Sequence, residues 1–292
     1  MCRWNAYYGQ PLIVDELLFQ TQHGLIDQSL HARMGVETTN GDGFGVGWYG
    51  SFGGQPCRYR SVTPAWSDVN LRDLTRHIAS PLWLAHIRAT TGTPVQQTNC
   101  HPFRHRNWLF VHNGVINGFH KLRRELLLYV DPALFGDIHG STDSEVLFYL
   151  ALTYGLEDDP LGALEQAVGL VEATAEAHGI EHPIQMTIGM TNGERLWAVR
   201  YSSEGRSRTL FVSREAEAIK ALHPDNPRLQ LLGDEDRAVV SEPLGDLPGV
   251  WQEIPESSAI VIQPGPDEHR PFQPRPPSQS RAPDRPLDMP IA

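Results

Sequence analysis

The sequence predicts one large α+β domain built on antiparallel sheets. Apolar strand patterns occupy the first third of the 292-residue chain, helical patterns occupy the middle, and strand patterns return afterwards. Asn192-Gly193 predicts a tight hairpin, and strands joined by tight turns pair in an antiparallel manner. The amphipathic faces of such sheets need helices or a second sheet to cover them. Because no linker interrupts residues 1–263, a single domain fits better than two.

The first strands are apolar runs or alternate with glycine. We expect an N-terminal strand over residues 6–14, and then an irregular segment, 15–35, with a brief helix near Leu17-Leu18. A turn at 40–43 leads into a strand at 44–49, where glycine alternates with large apolar residues. That alternation is typical of a strand approached closely by another layer or a ligand. The remaining expected strands lie at 82–88, 108–112, 184–191, 196–201, 209–213, 238–241 and 259–262.

Three helices are expected between the two groups of strands. Their apolar spacing covers residues 122–129, 142–154 and 160–178. Either Ser141 or Thr142 can cap the second helix, because a hydroxyl oxygen at that position accepts a hydrogen bond from a free backbone N–H of the first turn.

Composition excludes several classes of protein. The net charge of −11 argues against nucleic acid as a partner, since phosphate binding needs clustered Lys and Arg. No stretch approaches the roughly 20 apolar residues of a membrane span, and no signal peptide precedes the first strand. Three cysteines cannot all pair with one another, and their spread does not suggest a disulfide framework. We therefore expect a cytoplasmic protein without a membrane partner.

The character of the chain changes at Pro264. Residues 264–292 hold nine of the 23 prolines, together with Arg, Asp, Ser and Gln. Such a composition is typical of a segment that buries too little apolar surface to order itself, so we expect a Pro-rich disordered tail at 264–292 after a domain at 1–263. A PxxP-type ligand for a partner is the alternative.

The second residue of the chain, Cys2, is a candidate nucleophile. Removal of the initiator methionine would leave Cys2 with both a thiol and a free α-amino group. The amine has an ordinary pKa of about 7.7–8.0, so it is partly unprotonated at neutral pH and can take the thiol proton. The alternative is an ordinary residue at the start of a strand.

A cysteine nucleophile needs an oxyanion hole, and His112-Asn113-Gly114 is a candidate for it. Asn-Gly at the end of an apolar strand predicts a type I′ turn. Such a turn would expose the Gly114 N–H and the Asn113 amide, and these two donors could stabilise a developing oxyanion. A plain hairpin turn without any catalytic role fits the same pattern.

Two charged residues could bind an amino-acid head group. Arg88 ends an apolar strand, and its guanidinium can bind a carboxylate through two parallel hydrogen bonds. Asp143 lies at the expected start of a helix and could bind an ammonium group. Each residue also has a purely structural explanation. Arg88 could simply mark the point where its strand meets solvent, and Asp143 could be a negative charge that the helix dipole favours at the N-terminus of the helix. Together the two are more specific than either alone.

These residues also carry a resemblance to a known family. Cys2, the turn and strand at 40–47, Arg88 with Thr90-Thr91, Asn99-Cys100-His101-Pro102, His112-Asn113-Gly114 and Thr142-Asp143 occur in this order. The set resembles the class II glutamine amidotransferases, which are N-terminal-nucleophile (Ntn) hydrolases. Ser241-Glu242-Pro243-Leu244 and Trp251 are similar to the stand-alone members of that family, such as the γ-glutamyl amide hydrolase of ergothioneine biosynthesis. The resemblance covers residues 2 to about 262.

The resemblance implies a four-layer αββα sandwich of two antiparallel sheets and a role for each matching residue. Cys2 would be the nucleophile and its amine the base, and Asn113 and Gly114 would form the oxyanion hole. The head group would be bound by Arg88, Thr90, Thr91, His112 and Asp143. The chain reads Arg-Ala-Thr-Thr-Gly where the glucosamine-synthesising members have one more residue, so either Thr90 or Thr91 can face the substrate.

The implied reaction hydrolyses a γ-glutamyl amide through a thioester and needs no metal or organic cofactor. A zinc site would have to use Cys100-His101 with His105, or Cys57, and these lack the CxxC or HExxH spacing of zinc sites. The expected partner is a small γ-glutamyl substrate. A homodimer, a separate partner subunit that receives ammonia, and a non-catalytic binding subunit all stay open.

Overall fold

The computed structural model describes residues 2–34, 39–50, 53–90, 92–214 and 216–278. The strands are β1 (Arg3–Ile13), β2 (Phe44–Trp48), β3 (Cys57–Ser61), β4 (Ala79–Ile87), β5 (Phe103–His105), β6 (Trp108–Ile116), β7 (Ile184–Thr191), β8 (Leu196–Ser202), β9 (Phe211–Ser213), β10 (Arg237–Val240), β11 (Trp251–Glu253), β12 (Ser258–Ile262) and β13 (Glu268–Pro271). The helices are α1 (Asp15–Leu18), α2 (Leu25–His31), α3 (Val69–Thr75), α4 (Phe119–Leu128), α5 (Pro132–Phe135), α6 (Asp143–Thr153), α7 (Pro160–Ala177) and α8 (Ala216–Leu222).

The strands form two antiparallel sheets. One sheet has the order β11-β9-β10-β1-β4-β2-β3, and the other has the order β13-β12-β8-β7-β6-β5. Every paired strand runs antiparallel to its neighbour. The predicted α+β class with antiparallel sheets is confirmed.

Alternation along the strands divides the apolar side chains among three cores: one between the two sheets, and one between each sheet and the helices that cover it. In β1, Trp4 and Ala6 face the core between the sheets, whereas Tyr7 faces the outer core beneath α1, α2 and α8. In β6, Val111 faces the core between the sheets, and Phe110 packs towards α4, α6 and α7. The result is the four-layer αββα sandwich that the family resemblance implied.

Helix α6 is the helix that presents Asp143. The Thr142 side chain caps it by accepting a hydrogen bond from the Glu145 N–H, as the sequence predicted. Residues 144–151 are all buried, so this helix is apolar on every side and lies inside the layer between β6 and α7. Its first residue is therefore held in place by packing along the whole helix.

The predicted turn at Asn113-Gly114 is wrong. Strand β6 continues through both residues to Ile116, and it pairs with β7 over residues 109–116. The turn comes later, at Gly118, whose φ of 69° is the left-handed conformation that glycine adopts readily. Pairing with a long neighbouring strand outweighs the local turn preference of the Asn-Gly pair.

The predicted disorder from Pro264 is also wrong for the residues that the structure describes. Strand β13 adds to the edge of β12, and Phe272 is only 2% exposed in the core beneath α7. The backbone N–H groups of Gln273 and Arg275 donate to Glu165. One buried aromatic ring and a paired edge thus order a segment whose average composition predicts disorder. Residues 279–292 lie outside the described part of the chain.

Replacement of Phe272 by alanine is expected to lower the free energy of unfolding by about 3 kcal/mol. This is the low end of the range for buried phenylalanine, because Phe272 follows the edge strand β13, where the surroundings can partly collapse. Chemical denaturation would measure the change. Phe135→Ala is the matched control, since Phe135 is 53% exposed and should cost little. Equal effects of the two substitutions would contradict this assignment of Phe272 to the core.

Among the described residues, no helix has the length and apolar character needed to cross a membrane. Cys2, Cys57 and Cys100 are all free thiols.

Candidate active site

The Cys2 side chain lies at the mouth of the space between the two sheets. Cys2 precedes β1 directly, and the alternation of side chains places it on the same face as Trp4. Its Sγ is 3.5 Å from the carbonyl oxygen of Ala89, just beyond the end of β4. The residue is only partly exposed, so a reactive group here would be shielded from bulk water.

Burial raises the pKa of the Cys2 thiol. The Ala89 backbone and the positive charge of Arg88 act in the opposite direction, and the negative charge of Asp143 adds to the increase. Two consequences follow. The charges of Arg88 and Asp143 are close enough to act on the sulfur, and the thiol needs a base to become a nucleophile.

The backbone of Cys2 is held by a buried ion pair on the other face of the sheet. The Arg3 guanidinium donates from Nη1 to the Cys2 carbonyl at 2.8 Å and from Nε to Glu242 Oε1 at 2.6 Å. Glu242 Oε2 lies 3.0 Å from His23 Nε2, and Glu242 also accepts from the N–H groups of Arg33 and Met34. This cluster anchors the backbone of Cys2 from the face of the sheet opposite its thiol.

The cluster also changes the titration of Glu242. Burial alone would raise the pKa of its carboxyl, but the hydrogen bond from His23, the charge of Arg3 and the Arg33 N–H outweigh burial and bring the pKa to about 2. Sequence reasoning noted Glu242 only as part of a motif. The signal for its role is Arg3, directly after Cys2, because a buried arginine needs a carboxylate partner.

Arg88 is buried, and it has no carboxylate partner in the part of the chain that the structure describes. Its Nη2 donates to Thr93 Oγ1 at 2.7 Å and contacts Thr90 Oγ1 and the Pro94 carbonyl at 3.3 and 3.2 Å. Its Nη1 reaches the Asp42 carbonyl at 3.4 Å. Among the described residues, no carboxylate oxygen lies within 4.0 Å of this guanidinium. A buried cation surrounded by neutral oxygens is suited to an incoming carboxylate.

The loop around Arg88 is braced by two side chains to which sequence reasoning gave no role. Asp42 Oδ2 accepts from the Thr90 N–H at 2.7 Å. Asn99, which is fully buried, donates to the Pro94 carbonyl and accepts from the Ser141 N–H. Asn99 therefore links the Arg88 loop to the segment that leads into Asp143. Thr90 donates its hydroxyl hydrogen to the Thr93 carbonyl, and Thr91 lies outside the described residues.

Gly114 presents its N–H at an uncovered edge of β6. Strand β5 covers that edge only up to Phe110. Beyond it, the Ile116 N–H donates to Asp143 Oδ2, and His86 lies 3.2 Å from the His112 carbonyl. Because backbone groups point to the same side at every second residue, the Gly114 N–H points to this edge as well. It donates to no group among the described residues.

A glycine is required at position 114. A Cβ atom there would lie 2.1 Å from the Gln185 carbonyl oxygen and 2.4 Å from His112 Nε2. An uncovered strand edge thus supplies the free donor that the sequence attributed to a turn.

Asn113 faces the space between the sheets, on the same side as Val111. Its register partner is Thr187, which accepts a hydrogen bond from Trp4 Nε1 at 3.0 Å. The Asn113 amide therefore lies opposite the first residues of β1, and its side chain makes no hydrogen bond to the described residues. Cys2, Asn113 and Gly114 converge at one end of the sandwich.

Asp143 joins this group through β6. It is half-buried, and besides the Ile116 N–H it accepts from the Ser144 N–H and hydroxyl. His112 is placed differently from the others. It is 2% exposed on the helix side of β6, with Nδ1 2.8 Å from Ser144 Oγ. Burial lowers the pKa of His112, so the ring is neutral behind Gly114.

Of the residues proposed as zinc ligands, Cys100 and His101 lie in the loop before β5, His105 ends β5, and Cys57 begins β3. Cys100 donates to the Ser61 carbonyl, and the His101 ring lies 4.1 Å from that of His86 and 4.4 Å from that of Phe103. His105 contacts Asp137 instead. Within the described ranges, no group of three or more His, Cys, Asp or Glu side chains could hold a metal ion.

Comparison with known proteins agrees with this geometry. The model of the family "Glutamine amidotransferases class-II" matches residues 20–266. The chain is 32% identical to the probable glutamine amidotransferase DUG3 of Saccharomyces cerevisiae, over 90% of this chain and 82% of that protein. It is 28% identical to the gamma-glutamyl-hercynylcysteine sulfoxide hydrolase of Mycolicibacterium smegmatis, over 90% of this chain and 96% of that protein.

Solved structures extend the comparison. A glutamine aminotransferase class-II domain protein from Silicibacter pomeroyi superposes with a TM-score of 0.69 and 32% identity, over 94% of this chain and all of that one. Glutamine phosphoribosylpyrophosphate amidotransferase from Bacillus subtilis gives a TM-score of 0.62 at 14% identity, over 93% of this chain and 49% of that one, and so shares the fold. The fold, the family match and the relatives together show that this chain belongs to the class-II glutamine amidotransferases, a family of Ntn-type enzymes.

Proposed function

We propose that the chain hydrolyses a γ-glutamyl amide with Cys2 as an N-terminal nucleophile, once the initiator methionine is removed. The observation that carries the proposal is the buried Arg88 guanidinium, which lacks a carboxylate partner among the described residues and whose charge acts on the Cys2 thiol. With Asp143 nearby, it suits the α-carboxylate and α-amino groups of a glutamyl head group. The names of the mycobacterial relatives, which are γ-glutamyl hydrolases, support the same substrate class.

In the first step, the α-amine of Cys2 takes the thiol proton, and the thiolate forms a C–S bond to the δ-carbonyl carbon. The carbonyl π electrons move to oxygen, where Asn113 and Gly114 donate hydrogen bonds to the oxyanion. The tetrahedral intermediate then breaks its C–N bond. The departing nitrogen of the substrate takes a proton from the protonated α-amine of Cys2 and leaves as ammonia or an amine. A γ-glutamyl thioester remains on Cys2.

In the second step, the α-amine takes a proton from water, and the hydroxide oxygen attacks the thioester carbonyl. The C–S bond breaks, the sulfur leaves as the thiolate and recovers the proton, and glutamate is released. The same pair of donors stabilises both tetrahedral intermediates. Each step is balanced in protons and electrons without a cofactor.

Free thiols at Cys2, Cys57 and Cys100 support a reducing compartment such as the cytoplasm.

Three measurements on the full chain test the proposal. Intact mass spectrometry should find Cys2 at the N-terminus. A diazo-ketone analogue of glutamine should label Cys2, and glutamine should protect it. Exposed Cys57 is the internal control and should stay unlabelled at the same reagent concentration. Glutamine, γ-glutamylcysteine and glutathione should be compared for release of glutamate.

The outcomes separate the proposal from its alternative. Release of glutamate from any of the three substrates, abolished in Cys2→Ala, supports catalysis, and the preferred substrate identifies the leaving group. If the N-terminus is verified as Cys2 and the protein is neither labelled nor active, the result would favour a non-catalytic subunit. Activity that appears only with an added synthase or peptidase partner would instead favour ammonia donation within a complex.

Replacement of Arg88 by lysine is expected to raise KM for the cleaved substrate by about 10–100-fold. Lysine keeps the charge but loses the fork, and a hydrogen bond to a charged group contributes about 1.5–3 kcal/mol. The effect on kcat should be smaller, because the head group does not change during the reaction. Steady-state kinetics would measure both parameters. Arg195→Lys on the exposed β7–β8 hairpin is the control, and an unchanged KM in Arg88→Lys would oppose the assigned role.

A further inference from the structure

We propose that the chain has a second binding site, for a small polyanion, between the edges of the two sheets. It is formed by Arg58 and Arg60 of β3 and by Arg104 of β5, and it is separate from the proposed hydrolytic site. The ligand would carry at least two negative charges on phosphate or carboxylate groups.

The three arginines line one cavity. Strand β3 is the last strand of the seven-stranded sheet, and β5 is the last strand of the six-stranded sheet. The cavity between them has a volume of about 340 Å³. That volume is within the range of small-molecule sites, roughly 300–1,000 Å³. The lining also includes Thr98 and His139, which can donate hydrogen bonds.

Each guanidinium is oriented by one hydrogen bond to a backbone carbonyl. Arg58 Nη1 donates to Pro102 at 3.1 Å, Arg60 Nη1 to Cys100 at 2.9 Å, and Arg104 Nη1 to Pro56 at 2.9 Å. Among the described residues, these three side chains make no other hydrogen bond, and no carboxylate oxygen lies within 4.0 Å of them. Their remaining N–H donors are available to a ligand. Arg106, at the rim of the cavity, is instead paired with Glu157.

The positive charges are close together and partly removed from water. Burial, together with the charges of Arg60 and Arg104, lowers the pKa of Arg58 to about 10. Burial likewise lowers the pKa of Arg60. Three like charges held together in a half-buried cavity repel one another, and a bound anion would relieve both the repulsion and the loss of hydration.

The two acidic residues of the cavity are occupied elsewhere. The Glu145 oxygens accept from the N–H groups of His139 at 3.1 Å and Gly140 at 2.6 Å. Asp137 Oδ2 lies 3.6 Å from His105 Nδ1. Neither carboxylate lies within 4.0 Å of the three guanidinium groups, although the negative charge of Glu145 acts on Arg58 and Arg60. Three guanidinium charges outnumber the two carboxylates, so the cavity keeps a positive charge in a chain whose net charge is −11.

Protection of sheet edges is the structural alternative. Charged side chains on edge strands prevent pairing with another chain, but that role needs them to point into solvent. Here Arg58, Arg60 and Arg104 are half-buried and turned inward onto the backbone of the facing segments. This arrangement fits a binding site better than a protected edge.

The cavity is distinct from the Cys2 site. Three strand spacings separate β1 from β3, because the paired residues run in the order Arg3, Ile87, Phe44 and Ser61 across β1, β4, β2 and β3. At about 4.8 Å per strand, the end of β3 lies roughly 14 Å from the end of β1. A ligand on Arg58 and Arg104, further along these edges, would therefore not occupy the place of the Cys2 substrate.

Calorimetric titration of the full chain with inorganic pyrophosphate and with citrate tests the site. The two probes distinguish a phosphate ligand from a carboxylate ligand, and chloride at equal ionic strength is the blank. The test variant is R58Q/R104Q. The matched control is R123Q/R124Q, which removes two exposed arginines from α4. Thermal unfolding of both variants verifies that they are folded.

We expect saturable binding of at least one probe to the unaltered chain and to R123Q/R124Q, with about 100-fold weaker binding to R58Q/R104Q. This corresponds to roughly tenfold for each guanidinium removed. If the double variant does not fold, R104Q alone should bind about tenfold more weakly. The proposal is overturned if neither probe binds saturably to the unaltered chain. It is also overturned if R58Q/R104Q and R123Q/R124Q bind the probe with equal affinity. Glutamate release does not enter the test, so its outcome is independent of the hydrolytic reaction.

Discussion

Replacement of Asn113 by alanine is expected to lower kcat by about 100–1,000-fold. The Asn113 amide faces the mouth of the space between the sheets, and its side chain makes no hydrogen bond to the described residues. It is therefore free to donate to an oxyanion that exists only in the tetrahedral intermediates. The loss of one such donor typically lowers kcat by this factor.

KM for the same substrate should change little, because the ground-state carbonyl makes weaker use of the donor than the oxyanion does. Steady-state and single-turnover kinetics on one γ-glutamyl amide would measure the effect. Asn117→Ala is the matched control. Asn117 follows β6 directly, but its amide is bonded to the His182 carbonyl outside the site. A kcat in Asn113→Ala within about threefold of the control value would exclude Asn113 from the oxyanion hole.

Replacement of Glu242 by glutamine is expected to lower the free energy of unfolding by about 3–5 kcal/mol. Removal of one partner of a buried ion pair is strongly destabilising, and here the buried Arg3 guanidinium would lose its charged contact with Glu242. The activity should fall as well, because Arg3 holds the Cys2 carbonyl. Denaturant unfolding and the rate of Cys2 labelling would measure the two effects. Glu157→Gln, in an exposed pair with Arg106, should cost less than about 1 kcal/mol.

The same carboxylate makes stability depend on pH. Its pKa is about 2 in the folded chain and about 4.3 in an unfolded one, so the folded state favours the ionised form. The stabilisation is fully present above pH of about 4.3 and is lost as the pH falls towards 2. Between pH of about 4.3 and 2, the free energy of unfolding of the unaltered chain should therefore fall by about 3 kcal/mol more than that of Glu242→Gln. Parallel curves for the two proteins would contradict the ion-pair assignment.

Much of the fold could be predicted from local patterns. The hairpin at Asn192-Gly193 forms between β7 and β8, and the Thr142 cap begins α6. Both depend on neighbouring residues alone. Short elements such as β3, β5 and α2 were missed, because a few residues carry too little periodicity to distinguish a strand or helix from a loop.

The candidate site shows the same division. Cys2, Arg88 and Asp143 could be selected from their chemistry and from the order of motifs. The predicted turn at Gly114 is wrong in its geometry, because the Gly114 N–H lies beyond Phe110, where β5 begins at Phe103 and covers the edge of β6 no further. Glu242 could not be assigned a role, since its partner Arg3 lies 239 residues away in the chain.

The sequence by itself determined the class of fold, and it selected Cys2 as a candidate nucleophile and Arg88 and Asp143 as charges that suit a glutamyl head group. These inferences depend on residue type and on local spacing. Only the tertiary structure decided which backbone N–H at the edge of β6 is free among the described residues and which carboxylate supports the backbone of Cys2 through Arg3. It also decided which arginines have no carboxylate partner among the described residues. The physical reason is that hydrogen bonding, burial and charge compensation are set by distant segments that meet at the ends and edges of the two sheets.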